Sequence, residues 1–292
     1  MAHGWQFLDR PREFGAVRAA LTEAGSCGVV LVGAAGVGKT TLARTVTESL
    51  RSQVHWVAST ESSRSIPLGV FAHLVGPTAS RDATALLASA RESLVSQGNS
   101  IVGVDDAHLL DELSATLLHQ LAVDQTGHIL PTVRPGEPVP DAVTSLWKDG
   151  YLRRIELQPF TKQQSVSLVE SVIGGRLEGL SADLMWESSG GNPLFLRHLV
   201  EGSIDAGTLN RVDDVWQLRG PTAVPSGLAA LLDTRLDQAG PEVVNALKVL
   251  ALCEPLDIDA LTELAGEDAV DAAESRGLIR FTQNGTTLNA RF

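Results

Sequence analysis

Short runs of apolar residues alternate with stretches of helical apolar spacing from about residue 26 to residue 160. Apolar runs bounded by turn residues predict buried strands, and apolar positions three or four residues apart predict amphipathic helices. The predicted strands are Gly28–Val32, Gln53–Ala58, Ser100–Asp105, His128–Val133 and Tyr151–Leu157. The predicted helices lie near 39–50, 68–75, 82–97, 111–122 and 141–148. This alternation favours an α/β fold whose five-stranded parallel sheet is covered on both faces.

The pattern changes at Thr161, after which helical spacing dominates. Ser or Thr at capping positions strengthens three predicted helices, at Thr161–Ile173, Ser181–Ser188 and Pro193–Ala206. Two prolines, Pro221 and Pro225, favour reading Val212 to Pro225 as a connector. Further helices are predicted near 226–238, 241–252, 257–264 and 267–276.

The end of the chain predicts a β-hairpin. Leu278–Gln283 and Thr286–Phe292 have strand character and flank Asn284-Gly285, both of which tolerate the positive φ of a tight turn. Helices followed by a two-stranded ribbon favour a winged-helix-like unit. The expected organisation is an N-terminal box and lead-in helix (1–25), an α/β core (26–160), a small helical lid (161–211) and a winged-helix-like domain (212–292).

The segment from Gly33 to Thr40 fits the pattern G-x-x-x-x-G-K-T and directly follows the apolar run Val29–Val32. Its glycines let backbone N–H groups turn toward an anion, and the following helix adds its positive dipole end. We expect Lys39 to reach the β- and γ-phosphates and the Thr40 hydroxyl to bind Mg²⁺. The predicted nucleotide-binding residues here are Gly33, Gly36, Val37, Gly38, Lys39, Thr40 and Thr41. The context favours the phosphate-binding loop of a P-loop NTPase over a glycine-rich turn without a ligand.

Two adjacent carboxylates, Asp105 and Asp106, end the predicted third strand. In P-loop NTPases an Asp at this position lies on the magnesium side of the site, and we assign that role to Asp105. Asp106 is predicted to accept a hydrogen bond from the attacking water, as general base or positioning group. The alternative is that the two acids only cap the next helix. His108 is either a packing residue or a proton sensor.

The predicted fourth strand ends in Pro131-Thr132-Val133-Arg134. Because ligands collect at the carboxyl ends of parallel strands, Thr132 or Arg134 is expected to sense the γ-phosphate. The alternative is that Arg134 forms only a salt bridge in a loop. Farther along, Ser189 to Leu194 joins a glycine pair to a helix-opening proline, which predicts a rigid corner between two helices.

Composition narrows the choice of partners. The 292 residues carry 35 acidic and 23 basic side chains, a net charge of −12, which disfavours a broad surface for nucleic acid or anionic membranes. Cys27 and Cys253 lie far apart beside apolar stretches, so we expect free buried thiols of a reducing compartment. No apolar run has the roughly 18 residues needed to span a bilayer, and the N-terminus lacks a signal-peptide pattern. A cytoplasmic protein without a membrane partner is expected.

Four groups of residues together resemble the NB-ARC/AAA-like ATPase module of the large LuxR-type transcriptional regulators, in the signal-transduction (STAND) branch of AAA+-like NTPases. The matching segments are the opening box Phe7–Phe14, Walker A at Gly33–Thr40, Walker B at Val104–Asp111 with the sensor segment Thr132–Glu137, and the G-N-P-L element Gly191–Leu194. One departure is Asp9, which stands where the opening box usually has Gly.

The resemblance implies a slow ATPase switch that binds ATP or ADP with Mg²⁺. Lys39, Thr40 and Asp105 would bind phosphates and metal. Asp106 would activate water and Arg134 would sense the γ-phosphate. Two residues outside the core motifs, Arg10 of the opening box and Pro193 against the adenine, would complete the nucleotide site.

The resemblance also carries expectations about the rest of the molecule. Relatives continue beyond this point into a His-Pro-Leu element, helical sensor repeats and a DNA-binding helix-turn-helix, so the chain is expected to be a C-terminally truncated module. Direct DNA binding is therefore not expected, whereas self-association through the ATPase module is. Three other readings stay open: an oligomeric AAA+-type motor or loader, a small-molecule phosphotransferase, and a scaffold remnant that no longer binds nucleotide.

Overall fold

A computed structural model describes Trp5 and residues 10–50, 52–75, 82–96, 100–219, 236, 239–253, 256–275, 278–284 and 287–291. The chain divides into two compact units. One comprises Phe7–Gln158, and the other comprises Met1–Gln6 with Pro159–Phe292.

The first unit alternates strands and helices as the sequence predicts. Its strands are β1 (Val29–Val32), β2 (Val54–Ala58), β3 (Ile101–Asp105), β4 (His128–Val133) and β5 (Arg153–Glu156). Its α-helices are α1 (Pro11–Thr22), α2 (Lys39–Glu48), α3 (Glu61–Arg64), α4 (Ala83–Val95), α5 (Glu112–Val123) and α6 (Asp141–Lys148). The helix expected near 68–75 is a 3₁₀ helix at Gly69–Leu74, and the single turn of α3 was not predicted.

The five strands form one parallel sheet in the order β2-β3-β4-β1-β5, which confirms the predicted fold class. Successive side chains of a strand point to opposite faces, so β1, β2, β3 and β4 each contribute to two cores. Val30 and Val32 pack in a core with residues of α4, α5 and α6, and Val29 and Leu31 pack in another with residues of α1 and α2. Because β4 lies between β1 and β3, the carboxyl ends of these three strands meet at one edge.

The second unit begins with the expected helices, α7 (Lys162–Ile173), α8 (Gly179–Ser189) and α9 (Pro193–Asp205). Thr161 caps α7 in a reciprocal arrangement with Gln164. A small three-stranded sheet accompanies them, with strands β6 (Arg176–Leu177), β7 (Leu209–Val212) and β8 (Val215–Leu218) in the order β6-β8-β7.

The connector predicted from Val212 to Pro225 is therefore wrong over its first part. β7 and β8 are antiparallel, and Val212 pairs with Val215 across a two-residue turn. Asp213 and Asp214 both adopt positive φ, as such a turn requires. The lid boundary expected after residue 211 consequently falls inside β7, and residues 220–225 lie outside the described part of the chain.

The C-terminal part follows the predicted order of helices and then a ribbon. The helices are α10 (Pro241–Cys253), α11 (Ile258–Ala265) and α12 (Glu267–Ser275), and the strands are β9 (Leu256–Asp257), β10 (Arg280–Asn284) and β11 (Thr287–Arg291). The three strands form an antiparallel sheet in the order β10-β11-β9. Asn284 pairs with Thr287, so it belongs to the strand and not to the turn as predicted. Most of the helix expected near 226–238 lies outside the described residues.

The two thiols differ in environment. Both are free, but Cys27 is buried whereas Cys253, at the last residue of α10, is exposed, contrary to the expectation that both are buried. None of the helices in the described ranges combines the length and the apolar character that a bilayer crossing requires.

Candidate nucleotide site

The loop between β1 and α2 has the shape of a phosphate cradle. Gly33 donates its N–H to the carbonyl of Val133 at 3.2 Å, and a Cβ at Gly33 would lie 2.8 Å from the carbonyl oxygen of Leu157. Gly38 precedes the first residue of α2 at φ 100°, and no atom lies within 4 Å of the position that its Cβ would take. The first N–H groups of a helix have no partner within the helix, so those at the start of α2 are the groups that an anion would bind here.

Lys39 brings a buried ammonium group to this cradle. The residue is 6% exposed, and its Nζ donates to the carbonyl oxygens of Gly33 at 2.8 Å and Ala34 at 3.0 Å. Burial lowers the pKa of Lys39 to about 8, against the opposing effect of Asp106. A cation that is paired with neutral carbonyls and has lost its water gains strongly from an incoming phosphate.

Asp105 joins three elements at the strand edge. Its Oδ1 accepts hydrogen bonds from the Thr40 hydroxyl at 2.8 Å and from the Thr132 hydroxyl at 2.7 Å. Thr132 is fully buried in β4, between the strands that lead to the other two residues. The structure thus brings together the hydroxyl and the carboxylate that the sequence assigned to the metal.

Asp106 faces a different partner. The Arg134 guanidinium donates to both carboxylate oxygens, from Nε to Oδ1 at 3.2 Å and from Nη2 to Oδ2 at 2.7 Å. Asp106 has φ 53° and ψ 50°, a left-handed conformation that is rare for a residue with a side chain. Neither Asp105 nor Asp106 caps α5, because Asp111 does so through the N–H groups of Leu113 and Ser114.

His108 lies buried beside this pair. Its Nδ1 is 4.0 Å from Asp106 Oδ1, and no hydrogen-bond partner for Nδ1 occurs among the described residues. Burial lowers the pKa of His108 more than the neighbouring Asp106 raises it, so the imidazole is neutral at pH 7.

The side chain of Arg10 binds the backbone of the phosphate loop. It is 3% exposed and donates from Nη1 to the Gln158 carbonyl at 3.0 Å and from Nη2 to the Val37 carbonyl at 3.2 Å. Glu13 lies 3.8 Å away as an ion-pair partner. Burial lowers the pKa of Arg10, with Glu13 opposing that shift. These contacts tie Arg10 to the backbone of the loop, whereas its direct contact with a nucleotide stays a prediction.

The remaining predicted residues have different surroundings. Thr41 is exposed on α2, with its carbonyl accepting the hydroxyl of Thr45. Pro193 is the first residue of α9, and Asn192 caps that helix through the N–H of Leu194 at 3.0 Å. Gly191, at φ 72°, accepts a backbone hydrogen bond from the N–H of Phe160, and a Cβ at Gly191 would lie only 2.2 Å from the Phe160 carbonyl oxygen. The predicted corner between two helices is present, since α8 ends at Ser189 and α9 begins at Pro193, whereas adenine contact by Pro193 stays a prediction.

The residues present fit a magnesium nucleotide. The buried Lys39 ammonium and the N–H groups at the start of α2 suit a phosphate chain. The hydroxyl of Thr40 and the carboxylate of Asp105 are oxygen ligands of the kind that Mg²⁺ prefers. Within the described ranges no group of three or more His, Cys, Asp or Glu side chains could hold a metal ion by itself. Mg²⁺ at this place would therefore share its coordination with the phosphates.

Sequence reasoning left open a salt bridge of Arg134 without naming Asp106 as its partner, and it missed the bridging hydroxyl of Thr132. Both follow from the strand order, because β4 lies next to β3 and its end faces the two acids. The sequence signal was the polar residue at each strand end. The order of the strands, which no spacing in the sequence reveals, was the missing information.

Comparison with known proteins agrees with this geometry. Residues 24–138 match the family model described as AAA domain. A search of curated proteins found no significant match.

Solved structures are similar over nearly the whole chain at low sequence identity. The Walker-type ATPase of Pyrococcus abyssi has a TM-score of 0.60 and 13% identity, with 97% of this chain and 93% of that one covered. The RuvB Holliday junction branch migration motor of Thermotoga maritima has a TM-score of 0.51 and 16% identity, with 95% and 89% covered. The ORC1 protein of Aeropyrum pernix, solved with DNA, has a TM-score of 0.50 and 15% identity, with 96% and 87% covered. The chain thus has the fold of AAA-type P-loop ATPases, with the match to the AAA domain model confined to residues 24–138.

Proposed function

We propose that the chain binds ATP and ADP with Mg²⁺ and works as a slow nucleotide switch. The observation that carries this proposal is the buried Lys39 ammonium, whose hydrogen-bond partners among the described residues are the carbonyl oxygens of Gly33 and Ala34 in the phosphate loop. A phosphate chain would supply the negative charge that this group lacks.

Each residue has a defined role in this proposal. Lys39 and the N–H groups at the start of α2 bind the β- and γ-phosphates. Thr40 and Asp105 hold Mg²⁺, which supplies neutralisation of phosphate charge when bound. Asp106 accepts a proton from the attacking water, and Arg134 donates to the γ-phosphate oxygens.

The test is nucleotide binding by Lys39→Ala, measured with a fluorescent ATP analogue. We expect the affinity to fall at least about a hundredfold, because a desolvated cation that binds phosphate is removed. Lys148→Ala is the matched control, since Lys148 is an exposed lysine at the end of α6 in the same unit. Equal affinities of the two variants would remove Lys39 from the site.

The finer form of the proposal is that this module belongs to a cytoplasmic, LuxR-type transcriptional regulator, with Pro193 against the adenine. What supports it is the set of four motif matches, especially the opening box around Arg10 and the G-N-P-L element. A switch of this kind holds its product for long periods, so single-turnover hydrolysis should be faster than steady-state turnover.

A second candidate is an oligomeric motor or loader. The observation that favours this candidate is the structural similarity to the RuvB branch migration motor. In this candidate function the chain would self-associate through the ATPase module. Motors of this type complete the site with an arginine from a neighbouring copy. ATP hydrolysis per protein molecule would then rise steeply with protein concentration, whereas a switch that works alone would keep a constant specific rate.

A further inference from the structure

The two acids at the end of β3 have separate partners. Asp105 accepts from the hydroxyls of Thr40 and Thr132, on the side of the phosphate loop. Asp106 instead receives two hydrogen bonds from the Arg134 guanidinium, in the bidentate geometry that makes arginine–carboxylate pairs strong. Asp105 therefore lies with Thr40 as a proposed metal ligand, whereas Asp106 is paired with Arg134.

The backbone holds Asp106 in this position. Its left-handed conformation turns the chain sharply after β3, and its N–H donates to the Thr132 hydroxyl at 3.0 Å. The Thr132 hydroxyl in turn donates to Asp105. Strained conformations persist where the surrounding structure fixes them, and they concentrate at functional sites.

The other basic side chains nearby, Lys39 and His108, do not replace Arg134 as the close partner of Asp106. Lys39 Nζ contacts the carbonyls of Gly33 and Ala34, and His108 Nδ1 remains 4.0 Å from Asp106 Oδ1. The Arg134 and Asp106 side chains are 36% and 23% exposed, so the pair is accessible from solvent. An entering anion can reach the same guanidinium.

We propose that Asp106 lowers the preference for ATP over ADP, because it competes with the γ-phosphate for Arg134. This inference rests on the proposed function and adds a second role for Asp106 before any hydrolysis. A triphosphate gains the contact with Arg134 only after the Asp106 pair is broken. ADP has no γ-phosphate and leaves the pair intact.

Competition predicts that weakening the pair tightens ATP binding. Asp106→Asn removes the charge and one of the two strong acceptors, and Asn is among the residues that best tolerate a left-handed conformation. We expect a slowly hydrolysed ATP analogue to bind about three- to tenfold more tightly, because partly exposed ion pairs contribute modestly. The affinity for ADP should stay within about twofold of the wild type.

Loss of a negative charge near the phosphates could tighten ATP binding by reduced repulsion alone, so the decisive experiment is a double-mutant cycle with Arg134→Ala. Dissociation constants for the ATP analogue and for ADP are measured by calorimetry for the wild type, both single variants and the double variant. Glu112→Gln, an exposed acid in the first turn of α5, controls for net charge.

The inference requires that Asp106→Asn tightens binding of the ATP analogue in the wild-type background and no longer does so beside Arg134→Ala. Equal tightening in both backgrounds, or none in the first, overturns it. Retained ADP affinity shows that each variant folds. If the wild type binds neither nucleotide, or Lys39→Ala binds both normally, the proposed function itself fails, which is a different outcome.

Discussion

Lys39 places a positive charge where the folded protein does not favour one. Burial lowers its pKa from 10.5 to about 8, so between these two values the unfolded chain binds more protons than the folded chain. Burial of the charged lysine therefore lowers the free energy of unfolding by its full amount below about pH 8. This destabilisation disappears as the pH rises toward 10.5.

The resulting prediction compares wild type with Lys39→Met, in which an apolar side chain of similar length replaces the lysine. The free energy of unfolding of the wild type relative to this variant should rise by up to about 3 kcal/mol between pH 7 and pH 10.5. Urea unfolding of both proteins in metal-free buffer at several pH values measures this difference, in which other titrating groups cancel. A difference that stays constant with pH would contradict the burial of a charged Lys39.

Arg10 carries a second prediction at the residue scale. Its guanidinium donates to the Val37 carbonyl in a buried contact and to the Gln158 carbonyl in a partly buried one, so Arg10→Ala should lower the free energy of unfolding by about 2–3 kcal/mol. Nucleotide affinity should also fall, because Val37 belongs to the phosphate loop. Arg12→Ala, two residues away on the exposed side of α1, is the control. Equal stabilities of the two variants would show that the Arg10 contacts contribute little.

Sequence alone located Lys39, Thr40 and Asp105 because each follows a strand in a pattern with a geometric reason. It did not locate the partners of Arg10 and Arg134. A side chain's direction depends on strand order and on backbone conformation. The left-handed φ of Asp106 leaves only a weak signal in the residue type, because Asp tolerates that conformation better than most residues but does not require it. Residues whose role is set by the local chain were therefore predictable, and residues whose role is set by a distant neighbour were not.

At the scale of elements, the accuracy of prediction followed burial. The four residues of β1 are all buried and form an unbroken apolar run, which the sequence pattern identifies directly. In β7 only Leu209 is buried, and in β8 only Leu218, so neither strand has an apolar run. The turn between them, Asp213-Asp214, also lacks glycine, and the segment was read as a connector. The opposite error occurred at Asn284, where a strong turn residue lies within a strand.

The same turn provides an element-scale prediction. Asp213 and Asp214 have φ values of 47° and 66°, and a left-handed conformation costs a side-chain-bearing residue roughly 1 kcal/mol. Asp214→Gly should therefore stabilise the hairpin by about 0.5–1 kcal/mol, less the small contribution of the exposed Arg211–Asp214 ion pair at 2.7 Å. Asp205→Gly, in the last turn of α9, should instead destabilise. Thermal unfolding measures both. A less stable Asp214→Gly protein would mean that the ion pair outweighs the backbone strain.

At the scale of the whole molecule, charge and division into units limit what the module does alone. At 15% identity, the likeness to the ORC1 protein solved with DNA shows the fold alone. The net charge of −12 disfavours a broad nucleic-acid surface. The loop, the two acids and Arg134 all belong to the unit Phe7–Gln158. Phosphate binding should consequently act first on the stability of that unit.

The prediction is that ADP with Mg²⁺ raises the unfolding temperature of the Phe7–Gln158 unit. A ligand selective for the native state, present at about one hundred times its dissociation constant, adds about 2.7 kcal/mol, which corresponds to roughly 5–10 °C for a unit of this size. Scanning calorimetry measures the shift. Arg10→Ala should lower the unfolding temperature of the same unit and so shows which transition belongs to it. Lys39→Ala should show at most a small shift with ADP, because its affinity is expected to be about a hundredfold lower. An unchanged wild-type transition at millimolar ADP would favour a scaffold that has lost nucleotide binding, because a bound ligand cannot leave native stability unaltered.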